Sequence, residues 1–449
     1  MSGQSKPGLR IAVIGTGISG LGAAWLLSQR HNVTVYEQAP RIGGHSNTVE
    51  VVGPAGAVPV DTGFIVYNPL NYPNLTALFE HLGVATKPSE MSFSVSRCDG
   101  QLEYAGNGLT SLFAQWRNVF SPRFWAMLAD LRRFYRDAPD LRADQDAGGL
   151  TLGEYLDQNG YGEAFINDHL LPMAAAIWSA PATSMRDCSA LAFIRFFDNH
   201  GLLLLRDRPQ WRTVAGGSRA YVETLSSSFQ HRIRREARVV SISRTPAGVE
   251  VTQASGETKT FEHAVIATHS DEALAMLRDP SPDEQRLLGA IRYRQNRVVL
   301  HGDPALMPIR RRVWSSWNYV HSGARAEGEA HITYWMNQLQ GLPRHTPLFV
   351  TLDPKREPRW PIHSQVYAHP VFDAGAYRAQ RELWSLQGRR NTWFCGAYFG
   401  AGFHEDGLQA GLAVAEDLGG ARRPWTVANE SGRIARAPMS AKPYAREAA

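Results

Sequence analysis

Two short apolar runs near the start of the chain flank a glycine-rich turn and an alanine- and leucine-rich stretch. The runs Ile11 to Ile14 and Val33 to Tyr36 contain β-branched residues, which favour buried strands. The stretch from Gly20 to Gln29 is apolar with one aromatic residue, as is typical of a helix that packs on a sheet. The pattern therefore predicts a strand–turn–helix–strand unit.

The turn of this unit has the spacing G-x-G-x-x-G. Gly15 permits a tight turn, Gly17 lets the backbone approach a pyrophosphate, and Gly20 lets the helix press against the strand. The helix N-terminus would present free N–H groups to the phosphates, and Glu37 at the end of the second strand can accept hydrogen bonds from ribose hydroxyls. The unit predicts a site for an ADP moiety, which suits NAD or FAD; a glycine-rich turn without a ligand is the alternative.

A second glycine pair follows the acidic residue almost at once. Glu37, Arg41, Gly43 and Gly44 form E-x-x-x-R-x-G-G, and with this motif the chain resembles the flavin amine oxidase and phytoene desaturase superfamily. The resemblance implies FAD bound in an extended conformation. It also implies an α/β fold, in which a Rossmann-like FAD-binding domain of the GR2-type flavoproteins is combined with a discontinuous α+β substrate domain.

Later segments match positions that lie along the flavin in that superfamily. The D-x-G segment from Asp61 to Gly63 is one of them. A final helix, expected to start near Gly407, would aim its N-terminus at the N1–C2=O edge of the ring and stabilise the charge of the reduced flavin. The expected FAD contacts are Gly15, Gly17, Ile18, Ser19, Gly20, Glu37, Gln38, Arg41, Gly43, Gly44, His45, Thr62, Gly63, Phe64, Val239, Gly396, Asp406, Gly407 and Leu408.

The order of these segments predicts two interleaved domains. A chain of 449 residues is too long for one ordinary core. The last segment, rich in Arg, Pro, Ala and Ser, is typical of a flexible tail. The expected boundaries are 1–90, 210–290 and 390–420 for the FAD-binding domain, 91–209 and 291–389 for the substrate domain, and 421–449 for the tail.

Composition and charge narrow the class of protein. The formal net charge is +5, and 42 of the 47 basic residues are arginine, which indicates either solvated surface guanidinium groups or a preference for anionic partners. The three cysteines lie far apart, so neither a disulfide framework nor a zinc or other metal site is expected. No nucleic-acid motif, signal peptide or apolar run of roughly 18–20 residues is present. We expect a cytoplasmic protein, with peripheral contact at the inner face of the membrane left open, as is the oligomeric state.

Residues 109–137 combine a helical pattern with many aromatic side chains. A helical subdomain core explains the pattern most simply. An apolar substrate tunnel or a membrane-facing surface is the alternative.

The segment before the last helix supplies the candidates for the reacting face of the flavin. His404 could act as a base or bind a carboxylate, or only bridge backbone groups in a tight turn; Tyr398 is the second catalytic candidate. Many amine oxidases place a lysine near the second part of the substrate domain, but none lies between Lys259 and Lys355. This absence argues against ordinary amine oxidation, and the excess of aromatic over polar residues favours an apolar small-molecule or lipid substrate.

Over nearly its whole length the chain resembles a bacterial group of NAD/FAD-binding proteins linked to modified fatty acids. The segments G-F-H-E-D-G (402–407) and W-S-S-W-N-Y (314–319) carry this resemblance. It implies dehydrogenation of a modified or methyl-branched fatty acyl chain, as in furan fatty acid synthesis. The alternatives are an amine oxidase, a carotenoid or polyene desaturase or isomerase, and a non-catalytic flavin- and lipid-binding protein.

Overall fold

The computed structural model describes residues 8–53, 56–143, 150–178, 181–204, 207–323 and 330–436. Its strands are, in chain order, β1 (Arg10–Ile14), β2 (Asn32–Tyr36), β3 (Thr48–Gly53), β4 (Gly56–Asp61), β5 (Thr86–Ser89), β6 (Phe93–Arg97), β7 (Leu102–Ala105), β8 (Trp211–Val214), β9 (Ile233–Arg234), β10 (Val239–Thr245), β11 (Gly248–Gln253), β12 (Thr258–Phe261), β13 (His263–Ile266), β14 (Arg292–His301), β15 (Trp317–His321), β16 (Ala330–Trp335), β17 (Phe349–Leu352), β18 (Pro361–Val371) and β19 (Thr392–Phe394). Its helices are α1 (Ile18–Leu27), α2 (Pro73–Leu82), α3 (Leu109–Leu112), α4 (Pro122–Asp137), α5 (Leu152–Gln158), α6 (Glu163–Phe165), α7 (Leu171–Trp178), α8 (Ala190–Asn199), α9 (Arg219–Ser226), α10 (Ser270–Met276), α11 (Pro282–Gly289), α12 (Met336–Leu339), α13 (Ala374–Gln380) and α14 (His404–Asp417).

A parallel sheet with the strand order β19-β13-β1-β2-β9 organises the first part of the fold. The residues of β1 from Ile11 to Ile14 are buried, as parallel strands covered on both faces must be. Helix α1 connects β1 to β2, which pair in parallel from Arg10 opposite Asn32 onward. The predicted strand–turn–helix–strand unit and the α/β class are confirmed.

A mixed sheet with the order β18-β14-β17-β16-β15-β6-β7 forms the second layer. Strands β6 and β7 precede the others by almost 200 residues along the chain, and β6 joins the sheet by parallel pairing with β15. One sheet is therefore built from two distant segments, as an interleaved chain requires. The individual domain boundaries stay a prediction.

The aromatic-rich segment 109–137 divides between core and surface. Phe124 and Phe134 are buried, so part of the segment forms the expected helical core. Trp116, Phe120 and Trp125 are instead 76%, 75% and 50% exposed. No helix of the described ranges combines the length and apolarity needed to cross a bilayer.

Residues 421–436 are packed against the fold, whereas the sequence indicated a loose tail from residue 421. Arg423 and Ile434 are buried, and the indole of Trp425 stacks on Trp25 at 5.8 Å between ring centroids. The Arg433 guanidinium donates to the Asp406 carboxylate at the start of α14 at 2.6 Å. These anchors are tertiary contacts, which the polar composition of the segment does not reveal. Residues 437–449 of the expected tail lie outside the described residues.

Candidate functional site

A cavity of about 870 Å³ opens at the carboxyl ends of the parallel strands and continues beneath the mixed sheet. Its lining begins at the turns after β1, β2, β13 and β19, the edge at which open parallel sheets bind ligands. It then passes between β18 and the segment before α14 to a group of apolar and aromatic side chains. The two layers of the fold therefore enclose one continuous site.

The glycines of the first turn have separate structural roles. Gly15 has a φ of +102°, a left-handed conformation that favours glycine. A Cβ on Gly20 would lie 2.0 Å from the Gly15 carbonyl oxygen, so only glycine lets α1 approach β1 this closely. A Cβ on Gly17 would instead meet no atom within 4 Å, because it would point into open space at the cavity. Gly44 also lies close to Gly17, since a Cβ on Gly44 would be 3.0 Å from the Cα atom of Gly17.

Glu37 is fixed by the turn that it faces. Its carboxylate accepts hydrogen bonds from the Thr16 hydroxyl and, at 3.1 Å, from the Thr16 backbone N–H. The other carboxylate oxygen accepts from Ala39 N–H at 2.9 Å. Arg41 donates to the Gly44 carbonyl at 2.8 Å within the second glycine turn, and the Gly43 N–H joins this turn to the first by donating to the Thr16 carbonyl at 3.1 Å.

The segment from Asp61 to Phe64 passes close to His45. A Cβ on Gly63 would lie 2.2 Å from the His45 carbonyl oxygen, and Phe64 N–H donates to that oxygen at 2.7 Å. The Asp61 carboxylate is buried among donors from Ser218 and Gln340, and burial raises its pKa to about 6. This buried network holds the strand beneath the cavity.

His404 lies in a small hydrogen-bonded cluster at the start of α14. Its Nε2 atom is 2.7 Å from the Tyr221 hydroxyl and 3.1 Å from the Ser46 hydroxyl. Its ring stacks on Phe64 with the centroids 3.8 Å apart and an angle of 8° between the planes. Burial lowers the pKa of His404 to about 3, so the imidazole is neutral at physiological pH.

Further histidines surround the middle of the cavity. The ring of His45 stacks on Tyr367 at 4.8 Å and lies 5.5 Å from His369 and 6.2 Å from His269. Burial, reinforced by the neighbouring imidazoles, holds the pKa of His45 well below its usual value. Burial likewise lowers the pKa of His369 to about 4. The described residues contain no group of three or more His, Cys, Asp or Glu side chains arranged to hold a metal ion.

The far end of the cavity is aromatic and uncharged. The acidic and basic lining residues are Glu37, Arg41, Arg238 and Glu272, which all lie at the parallel-sheet end of the described cavity. The far end is lined mainly by Met91, Phe93, Met173, Ala176, Ile177, Trp178, Phe196, Leu202, Trp211, Trp317, Tyr334, Phe372 and Phe403, with the neutral polar residues Ser92 and His200 among them.

Two tyrosine hydroxyls at the cavity are buried without a partner among the described residues. They belong to Tyr36, at the end of β2, and to Tyr398, before α14. Burial raises the pKa of both phenols, so both are neutral at physiological pH. Because buried hydroxyls are normally hydrogen-bonded, each is a candidate donor or acceptor for a bound molecule.

Most residues named from the sequence line this one cavity. They are Gly15, Gly17, Ile18, Ser19, Glu37, Gln38, Arg41, Gly44, His45, Gly63, Phe64, Val239, Gly396, Tyr398 and His404. Gly20, Gly43, Thr62, Asp406, Gly407 and Leu408 are not part of the lining. Thr62 lies one layer back, where its hydroxyl is 3.0 Å from that of Tyr367.

The last helix starts three residues before the expected position. The Asp406 carboxylate accepts from Phe403 N–H at 2.8 Å, which fixes the first turn of α14 at His404. Asp406 is fully buried, and Gly407 faces α1, where a Cβ would lie 2.8 Å from the Ser19 hydroxyl oxygen. Phe403 and His404, rather than Asp406 to Leu408, therefore bring the start of this helix to the cavity.

The sequence interpretation missed the support of His404. Ser46 and Tyr221 come from segments far apart in the chain, and no local spacing links either to His404. Tyr221 follows the glycine pair of T-V-A-G-G-S-R (213–219) on helix α9. This position was the available signal, since it lies in the segment 210–290 that was expected to belong to the FAD-binding domain.

Known proteins share both the sequence pattern and the fold. The profile of the family described as "Flavin containing amine oxidoreductase" matches residues 18–301. A Mycobacterium tuberculosis protein described as "Putative flavin-containing monoamine oxidase AofH" is 25% identical over 295 residues, which span 62% of this chain and 61% of the relative. The match thus covers less than two thirds of that relative.

Two solved structures illustrate the likeness of fold. A CLA-producing fatty acid isomerase from P. acnes has a TM-score of 0.65 and 18% identity, with 93% of this chain and 99% of that chain covered. Cyclohexylamine oxidase from Brevibacterium oxydans IH-35A has a TM-score of 0.63 and 16% identity, with 92% and 100% covered.

The chain belongs to the flavin containing amine oxidoreductase family, whose profile matches well over half of its length. Its cofactor is FAD, as the family implies.

Proposed function

We propose that the chain dehydrogenates an apolar acyl chain, with a modified or methyl-branched fatty acyl group as the substrate. The observation that carries the proposal is the far end of the cavity, which is lined by apolar and aromatic side chains and contains no charged residue of the described chain. An acyl chain would gain free energy by leaving water for this surface, at about 25 cal/mol per Å². A cationic amine would find no carboxylate there to replace its hydration.

The nucleotide end fits FAD in this proposal. The open side of Gly17 and the free N–H groups at the start of α1 form a cradle for a pyrophosphate. Glu37 would accept hydrogen bonds from the ribose hydroxyls, and Val239 lines the cavity on the same side. When bound, FAD would supply the acceptor for a hydride from one carbon of the substrate, while the adjacent carbon releases a proton and the double bond forms between the two carbons.

Tyr398 and His404 would act as neutral groups. With a pKa of about 3, His404 is a poor imidazolium partner for a carboxylate, so we assign it to hydrogen bonding beside Tyr221 and Ser46. The unpartnered hydroxyl of Tyr398 is the better candidate for contact with the substrate or the cofactor.

Direct product analysis tests the proposal. Purified, FAD-loaded protein is incubated under air with methyl-branched acyl phospholipids, and the acyl chains are analysed by mass spectrometry. We expect loss of one pair of hydrogens from the branched chain. Absence of that product, both under air and with an artificial electron acceptor, would overturn the proposal. Positional isomers without loss of hydrogen would identify an isomerase, and tight acyl binding without turnover a binding protein.

A matched pair of tyrosine variants tests the assignment of Tyr398. Tyr398→Phe and Tyr36→Phe each remove a buried hydroxyl that lines the cavity and has no described protein partner, one before α14 and the other at the end of β2. We expect Tyr398→Phe to lower turnover roughly tenfold or more with its FAD content unchanged, because it removes a group at the reacting end. Tyr36→Phe should leave turnover nearly unchanged; equal effects in the two variants would contradict the assignment.

Amine oxidation is the second candidate, because the family profile and the M. tuberculosis relative carry that description. No lysine of the described chain lines the cavity, which weakens this candidate. Hydrogen peroxide release on a panel of primary and secondary amines, without desaturation of acyl chains, would establish it in place of acyl dehydrogenation.

A further inference from the structure

Five large apolar side chains between residues 109 and 125 are exposed together. Leu109, Trp116, Val119, Phe120 and Trp125 form this surface, which we call the aromatic face. Trp116, Phe120 and Leu109 each have about three quarters of their surface in contact with solvent. None of the five lines the cavity, so the face is distinct from the site described above. Exposed apolar clusters of this kind mark interaction surfaces.

The aromatic face is a built structure rather than a set of unconnected side chains. The indole N–H of Trp125 donates to the Val119 carbonyl at 2.8 Å, and the rings of Trp116 and Phe120 lie 5.9 Å apart. Helix α4 anchors the face through Phe124 and Met127, which are buried on its opposite side. The aromatic side chains are therefore presented outward by a helix that is anchored in the core.

Arginines outnumber acidic side chains around the aromatic face. Residues 104–129 contain no acidic residue and two arginines, Arg117 and Arg123, both exposed. The turn Arg311–Val313 lies against α3 and adds the exposed Arg311 and Arg312, next to Ile309, which is also exposed. Within the described chain only Arg123 of these four arginines makes an ion pair, with Asp168. The rim of the face therefore carries an excess of positive charge.

We infer that the aromatic face docks the protein onto the surface of an anionic phospholipid bilayer. Tryptophan and phenylalanine enter the boundary between headgroups and acyl chains, and arginines attract anionic lipids. A second copy of this chain fits less well, because a two-fold contact through the same surface would bring the cationic rims together. The inference goes beyond the proposed activity and does not depend on it, since a bilayer can be bound without turnover.

Vesicle sedimentation tests the inference. The FAD-loaded protein is mixed with vesicles of phosphatidylcholine alone, or of equal parts phosphatidylcholine and phosphatidylglycerol, neither containing branched acyl chains. We expect sedimentation with the anionic vesicles that weakens as salt is added, and at least tenfold weaker binding to the neutral ones. When the phosphatidylcholine of the anionic vesicles is brominated in its acyl chains, it should quench part of the tryptophan emission, since Trp116 and Trp125 would enter the bilayer.

Paired variants locate the contact. The double variant Trp116→Ser/Phe120→Ser should lose at least tenfold in vesicle affinity while its FAD content stays unchanged. Trp360→Ser, which removes a tryptophan 66% exposed and distant in sequence from the face, should bind as the unsubstituted protein does. Absence of binding to anionic vesicles, or equal binding by the double variant, would overturn the inference. So would a dimer in solution that the double variant dissociates.

Discussion

Gly17 has a different role from the other glycines of its turn. At Gly17 the absence of a side chain leaves space for a ligand, whereas at the others it prevents a clash with the protein backbone. A Cβ at Gly17 would meet no atom within 4 Å, whereas one at Gly20 would collide with the Gly15 carbonyl. We therefore expect Gly17→Val to fold normally and yet to lose its yellow colour, because the new methyl groups fill the proposed pyrophosphate position. The FAD affinity should fall by at least tenfold, or about 1.4 kcal/mol.

Gly106→Val is the matched control for Gly17→Val. A Cβ on Gly106 also meets nothing within 4 Å, but Gly106 does not line the cavity. It should keep its flavin absorbance through dialysis. Equal flavin loss from the two variants, or full retention by both, would show that the bend at Gly17 does not hold the cofactor.

At the scale of residues, the sequence allows prediction of local motifs and not of distant partners. Gly15, Gly17 and Glu37 belong to one unit of the chain, whose spacing has a direct physical meaning. The partners of His404 come from residues 46 and 221, which only the complete fold brings together. The buried contact of Asp406 with Arg433 could not be predicted for the same reason, since no regular spacing links the two residues.

The close contact between α1 and α14 depends on Gly407 and Gly411 of the last helix. A Cβ on Gly411 would lie 2.1 Å from the Ser19 carbonyl oxygen, a backbone atom that cannot move aside cheaply. Gly411→Ala should therefore lower the free energy of unfolding by about 1–3 kcal/mol. Ser19 lies in the first turn of α1, whose N–H groups face the proposed pyrophosphate position. FAD affinity should therefore fall as well. Urea unfolding and flavin retention measure the two effects.

Gly289→Ala applies the same substitution to a helix with room for it. A Cβ there would meet Leu274 at 3.5 Å, an ordinary contact, on the exposed end of α11. We expect this variant to be about 0.5–1 kcal/mol more stable than the unsubstituted chain. The two substitutions thus have opposite signs, and destabilisation by both would contradict the packing argument.

The segment after α14 holds the start of that helix in place. The side chain of Arg433 donates to the fully buried Asp406 carboxylate at 2.6 Å and to the Asn71 carbonyl at 2.9 Å. Arg433→Met would leave the carboxylate buried without its cation, which costs about 3–5 kcal/mol. The midpoint of thermal unfolding should fall clearly, and His404 at the cavity should become less ordered with α14.

Arg436→Met is the control for this substitution. Arg436 pairs with Asp417 at 2.7 Å, near the other end of α14 and closer to solvent. Since such a pair contributes roughly 0–1 kcal/mol, the variant should unfold close to the unsubstituted protein. Equal losses of stability would mean that the burial of Asp406 does not decide the effect.

At the scale of the whole molecule, the α/β class and the cofactor were predictable, because the nucleotide unit is local and its residues recur in a fixed order. The exposure of Trp116 and Phe120 was not, since a helical pattern of aromatic residues is the same for a core and for a docking surface. The packing of residues 421–436 could not be predicted from their polar composition, because only a few residues of the segment are buried and the others are partly or fully exposed. Prediction failed for residues whose structural role depends on contacts with residues distant in the sequence.

Buried histidines should make the whole protein sensitive to acid. Burial lowers the pKa of His200 and His404 to about 3 and that of His169, His301 and His369 to about 4. The unfolded chain, with histidine pKa values near the ordinary 6.5, binds more protons than the folded chain below that pH. Stability is therefore fully present above about pH 6.5 and is lost as the pH falls towards 4. Asp61, whose pKa of about 6 exceeds its ordinary value, acts in the opposite direction but contributes only one proton.

Urea unfolding of the FAD-loaded protein at a series of pH values measures this proton uptake. Each additional proton bound by the unfolded chain adds about 1.4 kcal/mol per pH unit to the slope of the unfolding free energy. His200→Gln removes one such proton, since His200 is buried with its Nε2 unpartnered in the described chain, and should make the slope shallower. His231→Gln, the same substitution at an exposed position, is the matched control. A free energy of unfolding that stays constant or rises from pH 6.5 to pH 4.5 would show that the buried imidazoles do not control acid stability.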